Sequence, residues 1–560
     1  VKFEKFMGIK KRHVFTGIIA IFLFLIIWFI SVALAFPPVP PNTDVHSLQR
    51  EEVSKGFYRI GNNWFKKNEF GMYEMYVEGS PYERGVINGK LSTELVKRQE
   101  DVFVGQITEL VPNKTYRGFL KYLIGWFNRN LDENIPLEYK QEISGVSLSA
   151  SENYYAIGTP YQRLLNYHAA HDIGHALQDK NLVGCTSFAA WDAKSQDGGL
   201  IVGRNFDFYV GDEFAQDKII AFIAPDSGNK FMMVTWGGMT GVLSGMNEQG
   251  LTVTINAAKS DPPLGSAMPI SLLAREILQY ASTIDEAYKI ALQRKTFVSE
   301  SILIGSSNEN KAAIIEKSPN KQGLLRSDQN YIVCSNHYQS EVFANDPLNI
   351  QNIKESSSLY RYHRMDQLIG KYPKIGVKET AKILRDKNGL DDKVLGYGNE
   401  KAMNQLIAHH SVIFKPALRQ VWVSSNPYVL GAYVAYDLNK IFQLKGLNRD
   451  TAIYEKSLVI PADSFMLTPE FRNYESYKRL KKFLKKQMSL KSTVALDSIV
   501  KIVRCNPDSY ESHWIAGDCY RYLGKKDEAS FMYKEALKKE IPTLFEKNKI
   551  EKLLGTLYEN

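Results

Sequence analysis

At Gly184 the hydrophobic pattern changes period, and this change constrains the fold more than any other feature of the sequence. Upstream, from Tyr58 to Val183, helical patterns dominate. Pro81-Tyr82-Glu83-Arg84-Gly85 opens one helix, Glu138 to Gly145 belongs to a second, and Tyr161 to Gln178 repeats apolar residues at helical spacing. Downstream, Thr186 to Ala193 alternates as a strand, Ser195-Gln196-Asp197-Gly198-Gly199 forms a turn, and Leu200 to Phe208 returns. Strands are expected next at Ile219–Ala224, Phe231–Trp236, Val242–Met246 and Leu251–Ala257, separated by turns at Asp226–Asn229 and Asn247–Gly250. Helices follow at Pro269–Ser282 and from Thr283, whose spacing to Glu286 is that of a capping box. Three strands (Ser301–Gly305, Ala312–Glu316, Tyr331–Ser335) precede three helices (Ser358–Gly370, Lys378–Arg385, Asn399–Ala408). Strands His410–Phe414, Gln420–Ser424 and Ala432–Tyr436 close the region. Such an order predicts an α+β architecture of two packed sheets with helices on their outer faces.

The ends of the chain read differently. Lys10, Lys11 and Arg12 precede an apolar run from Val14 to Ala35, as long as the roughly 20 residues a bilayer requires. A basic flank of this kind is retained in the cytoplasm, which puts the body on the extracytoplasmic side. Ala33-Leu34-Ala35 has the form of a signal-peptidase site, but the run exceeds the ~7–15 residues of a cleavable signal, so an uncleaved anchor is expected. The expected division is a basic N-terminus at 1–13, a transmembrane anchor at 14–35 and a linker at 36–57. A helical segment follows at 58–184, then a strand-rich domain at 185–462 and a helical domain at 463–560. In the last, Lys478 to Lys486 is basic and amphipathic, with Leu480, Leu484 and Met488 on one side, and reads as a solvated connector. Ala516, Gly517, Tyr520, Ala529, Tyr533 and Ala536, with Pro542 beyond, have the spacing of one tetratricopeptide-type hairpin, which packs on the body or binds a protein partner.

Composition excludes some chemistries. The net charge of +9 is a mild excess without a nucleic-acid-binding signature; generic solvated lysines and attraction to an anionic membrane surface are the two readings. Cys185, Cys334, Cys505 and Cys519 make neither a disulfide framework nor a zinc knuckle. Cys505 and Cys519 form one bridge or remain two free core cysteines. His168, His171 and His175 share a helical face, but no Glu separates His171 and His175 as in a zinc protease, and they read as polar helix surface. No metal and no cofactor are expected. His337 and His410 offer a cysteine–histidine pair, without the flanking sequence of papain-like enzymes.

Cys185 stands at the start of the first core strand, after a glycine and before Thr186-Ser187. Gly184 is the least hindered residue to have on the acyl side of a bond attacked by a neighbouring thiol. The return strand brings Arg204 and Asp207 level with Cys185, and buried charges are costly unless paired. Pattern alone leaves a surface Arg–Asp pair beside a small buried cysteine as the alternative.

From about Tyr76 to Tyr436 the sequence resembles the isopenicillin N acyltransferase branch of the N-terminal-nucleophile hydrolases, to which choloylglycine hydrolases and acid ceramidase are related. The resemblance rests on Gly184-Cys185-Thr186-Ser187-Phe188, Gly203-Arg204-Asn205-Phe206-Asp207, Gly245 to Leu251, Ser335-Asn336-His337, and the propeptide-like Gly79 to Gly85. It implies a four-layer αββα sandwich with Cys185 as nucleophile, freed by self-cleavage of the Gly184–Cys185 bond. It further implies that Arg204 and Asp207 tune the thiol and its amine, that Asn256 and Asn336 form the oxyanion hole, and that Arg361 is the remaining active-site arginine. The expected activity is hydrolysis or transfer at linear amides, with small N-acyl compounds, including lipidic ones, as substrates. The alternative is a catalytically silent membrane-tethered scaffold whose C-terminal helices bind partners.

Overall fold

The computed structural model describes residues 2–32, 34–111, 113–129, 131–169, 184–208, 213–261, 265–444 and 446–558. Two sheets lie face to face. The smaller runs Tyr331–Cys334, Thr186–Ala190, Ile201–Phe206, His410–Lys415, Gln420–Ser424, Tyr433–Asp437 in spatial order. The larger, eleven-stranded sheet begins with Glu51–Ser54, Phe57–Ile60, Asn63–Lys67 and Tyr73–Gly79, and continues through Ile219–Pro225 to Gln322–Arg326.

Period-2 side-chain alternation explains the layering. Along Ile219–Pro225, Ile220 and Phe222 enter the core between the sheets with Val202, Val412 and Phe414, while Ile219, Ala221 and Ile223 face the helices. Helices Ile270–Tyr280 and Ile284–Gln293 cover the large sheet, and Ser358–Gly370 and Val377–Leu384 cover the small one. The layer order is therefore αββα, and the α+β expectation holds. Thr283 and Glu286 form the expected capping box, each side chain accepting from the other's backbone N–H at 3.2 Å.

Several expectations are corrected. No helix among the described residues is long and apolar enough to cross a membrane. The transmembrane anchor expected at 14–35, and the extracytoplasmic placement derived from it, are overturned. The N-terminal helix starts at Lys2, takes in the charged Lys5, Lys10, Lys11 and Arg12, and ends at Val32 before the apolar run is complete. Its Trp28 and Phe29 pack on Trp126, with ring centroids 5.3 and 5.0 Å apart. The stretch from 58 is not purely helical either: four strands precede Pro81, because each short hairpin finds a neighbour on the large sheet. Asn399–Ala408 is a loop rather than a helix, with Leu406 at φ 57°. Cys505 and Cys519 are free thiols. The C-terminal region is helical, as expected.

Two contacts tie the segment before Gly184 to the rest. Tyr73–Gly79 pairs in parallel with Ile219–Pro225 over seven residues. Helices Pro81–Leu91 and Leu137–Ser147 pack backbone to backbone: a Cβ at Gly145 would meet Val86 N at 2.5 Å and Tyr82 O at 2.6 Å. That closeness buries Glu142 between Arg84 (2.8 Å) and Arg275 (3.1 Å). Burial pushes the Glu142 carboxyl up, but Arg275 and Arg84 outweigh it and hold it below the usual glutamate value. Its contribution to stability is present at neutral pH and is lost as acid protonates it. Glu142→Ala leaves two buried guanidiniums without their shared partner and is expected to cost about 3–5 kcal/mol, read as a lower urea midpoint with unchanged slope.

Candidate active site

Cys185 lies at the start of the strand Thr186–Ala190, where Thr186 pairs with Asn205 and Ser187 with Arg204. One step beyond the ladder, Gly184 N donates to Asp207 O at 3.1 Å. This register brings Cys185, Arg204 and Asp207 together, all fully buried. Arg204 Nη2 donates to Cys185 Sγ at 3.7 Å, and the thiol faces Asp207 O at 3.9 Å. Arg204 is itself fixed by Leu243 O at 2.8 Å, by Ser244 Oγ and Ile255 O, and by the Phe206 ring 4.5 Å below its guanidinium.

Electrostatics keep the thiol protonated. Burial pushes it up to about 11; Arg204 opposes this, while Asp207 and Glu300 add to it. Burial also raises the Asp207 carboxyl to about 7 against the pull of Arg361 and Arg204. Neither Asp207 carboxylate oxygen has a hydrogen-bond partner. A buried carboxyl that titrates near neutral pH, one hairpin strand from a buried thiol, has the pKa of a proton acceptor.

Arg361, from helix Ser358–Gly370, closes the other side. Its Nη1 donates to Gly184 O and Cys185 O, both at 2.8 Å, and to Thr186 Oγ1 at 2.6 Å; its Nη2 donates to Asn336 Oδ1 at 2.7 Å. Asn336 in turn donates to Ala257 O at 2.8 Å, and Asn256 to Cys334 O at 3.1 Å. Asn256 Oδ1 accepts from Ser187 Oγ at 3.1 Å. The six side chains singled out from the sequence thus form one buried cluster, although they come from both sheets and a covering helix.

The histidines lie elsewhere. His410 Nε2 meets Ser244 Oγ at 2.7 Å, behind Arg204, and His337 Nδ1 meets Ser358 Oγ at 2.7 Å. Burial lowers both, His337 to about 4, so they are neutral. His168, expected on a helix surface, is buried between Leu164 O and Thr240 because its helix packs inward; His171 and His175 lie outside the described residues. Among the described residues no cluster of three or more His, Cys, Asp or Glu side chains is placed to hold a metal.

One site residue escaped the sequence reading. Gln405 Nε2 donates to Gly184 O at 2.7 Å from the loop that had been expected to be helical. It belongs to no motif, and 221 positions separate it from Gly184.

The chain is similar to several known proteins. An uncharacterized protein of Archaeoglobus fulgidus is 26% identical over 68% of this chain and 68% of its own. The N-acylethanolamine-hydrolyzing acid amidase of Caenorhabditis elegans is 22% identical over 35% of this chain and 56% of its own length. The solved structure of that organism's N-acylethanolamine-hydrolyzing acid amidase ortholog aligns over 42% of this chain and 94% of its own, at 18% identity and a TM-score of 0.30. Residues 192–426 match the family described as acyl-coenzyme A:6-aminopenicillanic acid acyl-transferase, and the region holds Arg204, Asp207, Asn256, Asn336 and Arg361.

Proposed function

We propose that the chain is a self-processing cysteine amidohydrolase or acyltransferase that cuts its own Gly184–Cys185 bond and then acts on linear N-acyl amides. The observation that carries this reading is the Gly184 carbonyl, gripped by Arg361 at 2.8 Å beside a buried thiol that Arg204 and Asp207 flank.

In the first step Cys185 Sγ attacks the Gly184 carbonyl carbon and its proton passes to Asp207. The carbonyl π pair moves onto Gly184 O. Collapse breaks the C–N bond, the proton goes to the departing nitrogen, and a thioester with a free α-amine results. Water hydrolyses the thioester, leaving a Gly184 carboxylate. The new α-amine, with an unperturbed pKa of about 7.7–8.0, then serves as base for the thiol that burial had held protonated. A substrate acyl group is taken up as a thioester and passed to water or to an amine. Asn256 and Asn336 supply the oxyanion donors for that later reaction. Small N-acyl amides, lipidic ones among them, are the substrate class, in keeping with the acid amidase among the relatives.

The parallel strand pairing and the Arg84–Glu142–Arg275 cluster would hold the two chains together after the cut. In the C-terminal helices, Gly517 of Tyr510–Tyr522 admits the Tyr533 ring of Lys526–Leu537.

The test is to incubate the purified protein with a panel of N-acyl amino acids and N-acyl amines, measuring released acid and the mass of an acyl adduct on the fragment that begins at Cys185. Release without any adduct would argue against a Cys185 thioester. Absence of both across the panel favours the silent scaffold, for which the helical C-terminus would be the functional part.

The position of Asp207 gives a pH dependence. Self-cleavage is expected to accelerate as pH rises through about 7, where Asp207 ionises, and Asp207→Asn should lose that inflection. The sign for stability is opposite. A carboxyl raised in the fold lends stability that is full below its ordinary value and is lost as pH rises through about 7. Asp207→Asn should therefore unfold less readily than wild type at alkaline pH, by on the order of 2–4 kcal/mol, while cleaving poorly. Chemical denaturation at two pH values checks this.

A further inference from the structure

Resting on the self-cleavage reading, we propose that Gln405 is a catalytic residue of that step. It donates, with Arg361, one of the two hydrogen bonds that carry the negative charge on Gly184 O. The C-terminal helices hold it there.

The geometry is specific to the scissile carbonyl. Gly184 O accepts from Gln405 Nε2 at 2.7 Å and from Arg361 Nη1 at 2.8 Å, whereas the Asn256 and Asn336 amides donate to Cys334 O and Ala257 O. Two donors converge on the oxygen that gains charge when Sγ attacks, as in an oxyanion hole. The Gln405 side chain is 1% exposed, and its Oε1 has no hydrogen-bond partner. Burying an amide with one end unpaired is costly, and the donor it presents to Gly184 offers a reason for placing it there. Gly184 fits the same picture: a Cβ there would collide with the Gln405 carboxamide.

Gln405 is held from outside the sandwich. Next to it Leu406, in the left-handed region at φ 57°, is buried with Tyr474, Tyr477, Leu484 and Ile515 of the C-terminal helices. Upstream, Tyr397 exchanges backbone bonds with the Asn506 side chain at 3.0 and 2.8 Å, and Asn399 Nδ2 donates to Glu540 O at 2.8 Å. Leu406 in this conformation is incompatible with a continued helix, and the loop presents Gln405 to Gly184 O. Thus the C-terminal unit acts within its own chain, by fixing the loop that bears the donor.

In the step, Sγ–C bond formation converts the Gly184 carbonyl oxygen to an alkoxide, and the C–N bond breaks as it collapses. Gln405 transfers no proton. It stabilises the charge and is released when the Gly184 end moves away.

The experiment follows the appearance of the fragment beginning at Cys185 by intact mass after pulsed synthesis of the full chain. Wild type, Cys185→Ala, Gln405→Ala and Gln405→Glu are compared at acid and alkaline pH, with thermal unfolding as the folding control. Gln405→Ala is expected to slow cleavage about 10²-fold. Gln405→Glu is nearly isosteric. Relative to wild type at the same pH it should be as slow as Gln405→Ala at alkaline pH and recover at acid pH, where the introduced carboxyl is protonated and can donate. Folded variants that both cut at the wild-type rate, or an equal slowing of Gln405→Glu at both pH values, would overturn the donor role and leave the self-cleavage reading intact. Wild type that is never cut at Cys185 would remove that reading and this inference together.

Discussion

Cys185→Ala is expected to yield one uncut chain where the wild type yields two, and to lose turnover of N-acyl substrates by at least ~10⁴-fold. The size of the effect follows from the double role of the side chain. In the proposed mechanism its sulfur attacks the Gly184 carbonyl, and its own nitrogen becomes the base once the bond is cut. An alanine supplies neither a sulfur to attack nor a route to the free amine. The fold should be little affected, since the thiol is small and its polar contacts are long, at 3.7 and 3.9 Å. N-terminal sequencing with intact mass reads the outcome. Two chains from the variant, with a fragment beginning at residue 185, would sink the mechanism, because some other group would then have cut the bond.

The second large effect is expected at Arg361. Its guanidinium bridges Gly184 O, Cys185 O, Thr186 Oγ1 and Asn336 Oδ1 in a fully buried site. Arg361→Met removes one donor from the scissile carbonyl, worth about 10²–10³ in rate. It also leaves buried acceptors unpaired, at roughly 1–3 kcal/mol each. Self-cleavage should slow by that factor or more and the unfolding temperature should fall. Arg361→Lys should restore little, because an ammonium is a point charge and cannot span the four acceptors as a planar fork does. Rapid cleavage by a folded Arg361→Lys protein would show that charge alone suffices and that the fork geometry is dispensable.

These expectations locate how much of the molecule could be read from its sequence. The strands Leu251–Ala257 and Gln420–Ser424 have the bounds their alternation predicts. The capping box at Thr283 was equally plain. In each case the signal is local: a period of two, or a three-residue spacing with a known hydrogen-bond pattern. Where local pattern and tertiary environment diverge, the reading failed. Asn63-Trp64-Phe65-Lys66-Lys67 has no strand-like alternation, yet it is a strand, since neighbours on both sides satisfy its backbone. The apolar run from Val14 has the composition of an anchor, but its helix ends early and packs its aromatic end on Trp126.

The site divides along the same line. The order Gly184-Cys185, Arg204, Asp207 was legible because a single hairpin brings these residues together, and hairpin register follows from strand length and turn. Asn256, Asn336 and Arg361 could be named only through family motifs, and their convergence depends on two sheets packing face to face. Gln405 could not be named at all. Its loop is shaped by contacts with the C-terminal helices, and no residue near it in sequence reports that Leu406 turns left-handed there. The sequence alone determined most of the alternation of elements and the hairpin that sets Cys185 beside Arg204 and Asp207, for these depend on bonds between near neighbours. Only the tertiary structure decided what grips the Gly184 carbonyl, because buried donors are positioned by the packing of segments hundreds of residues apart, and packing has no local code.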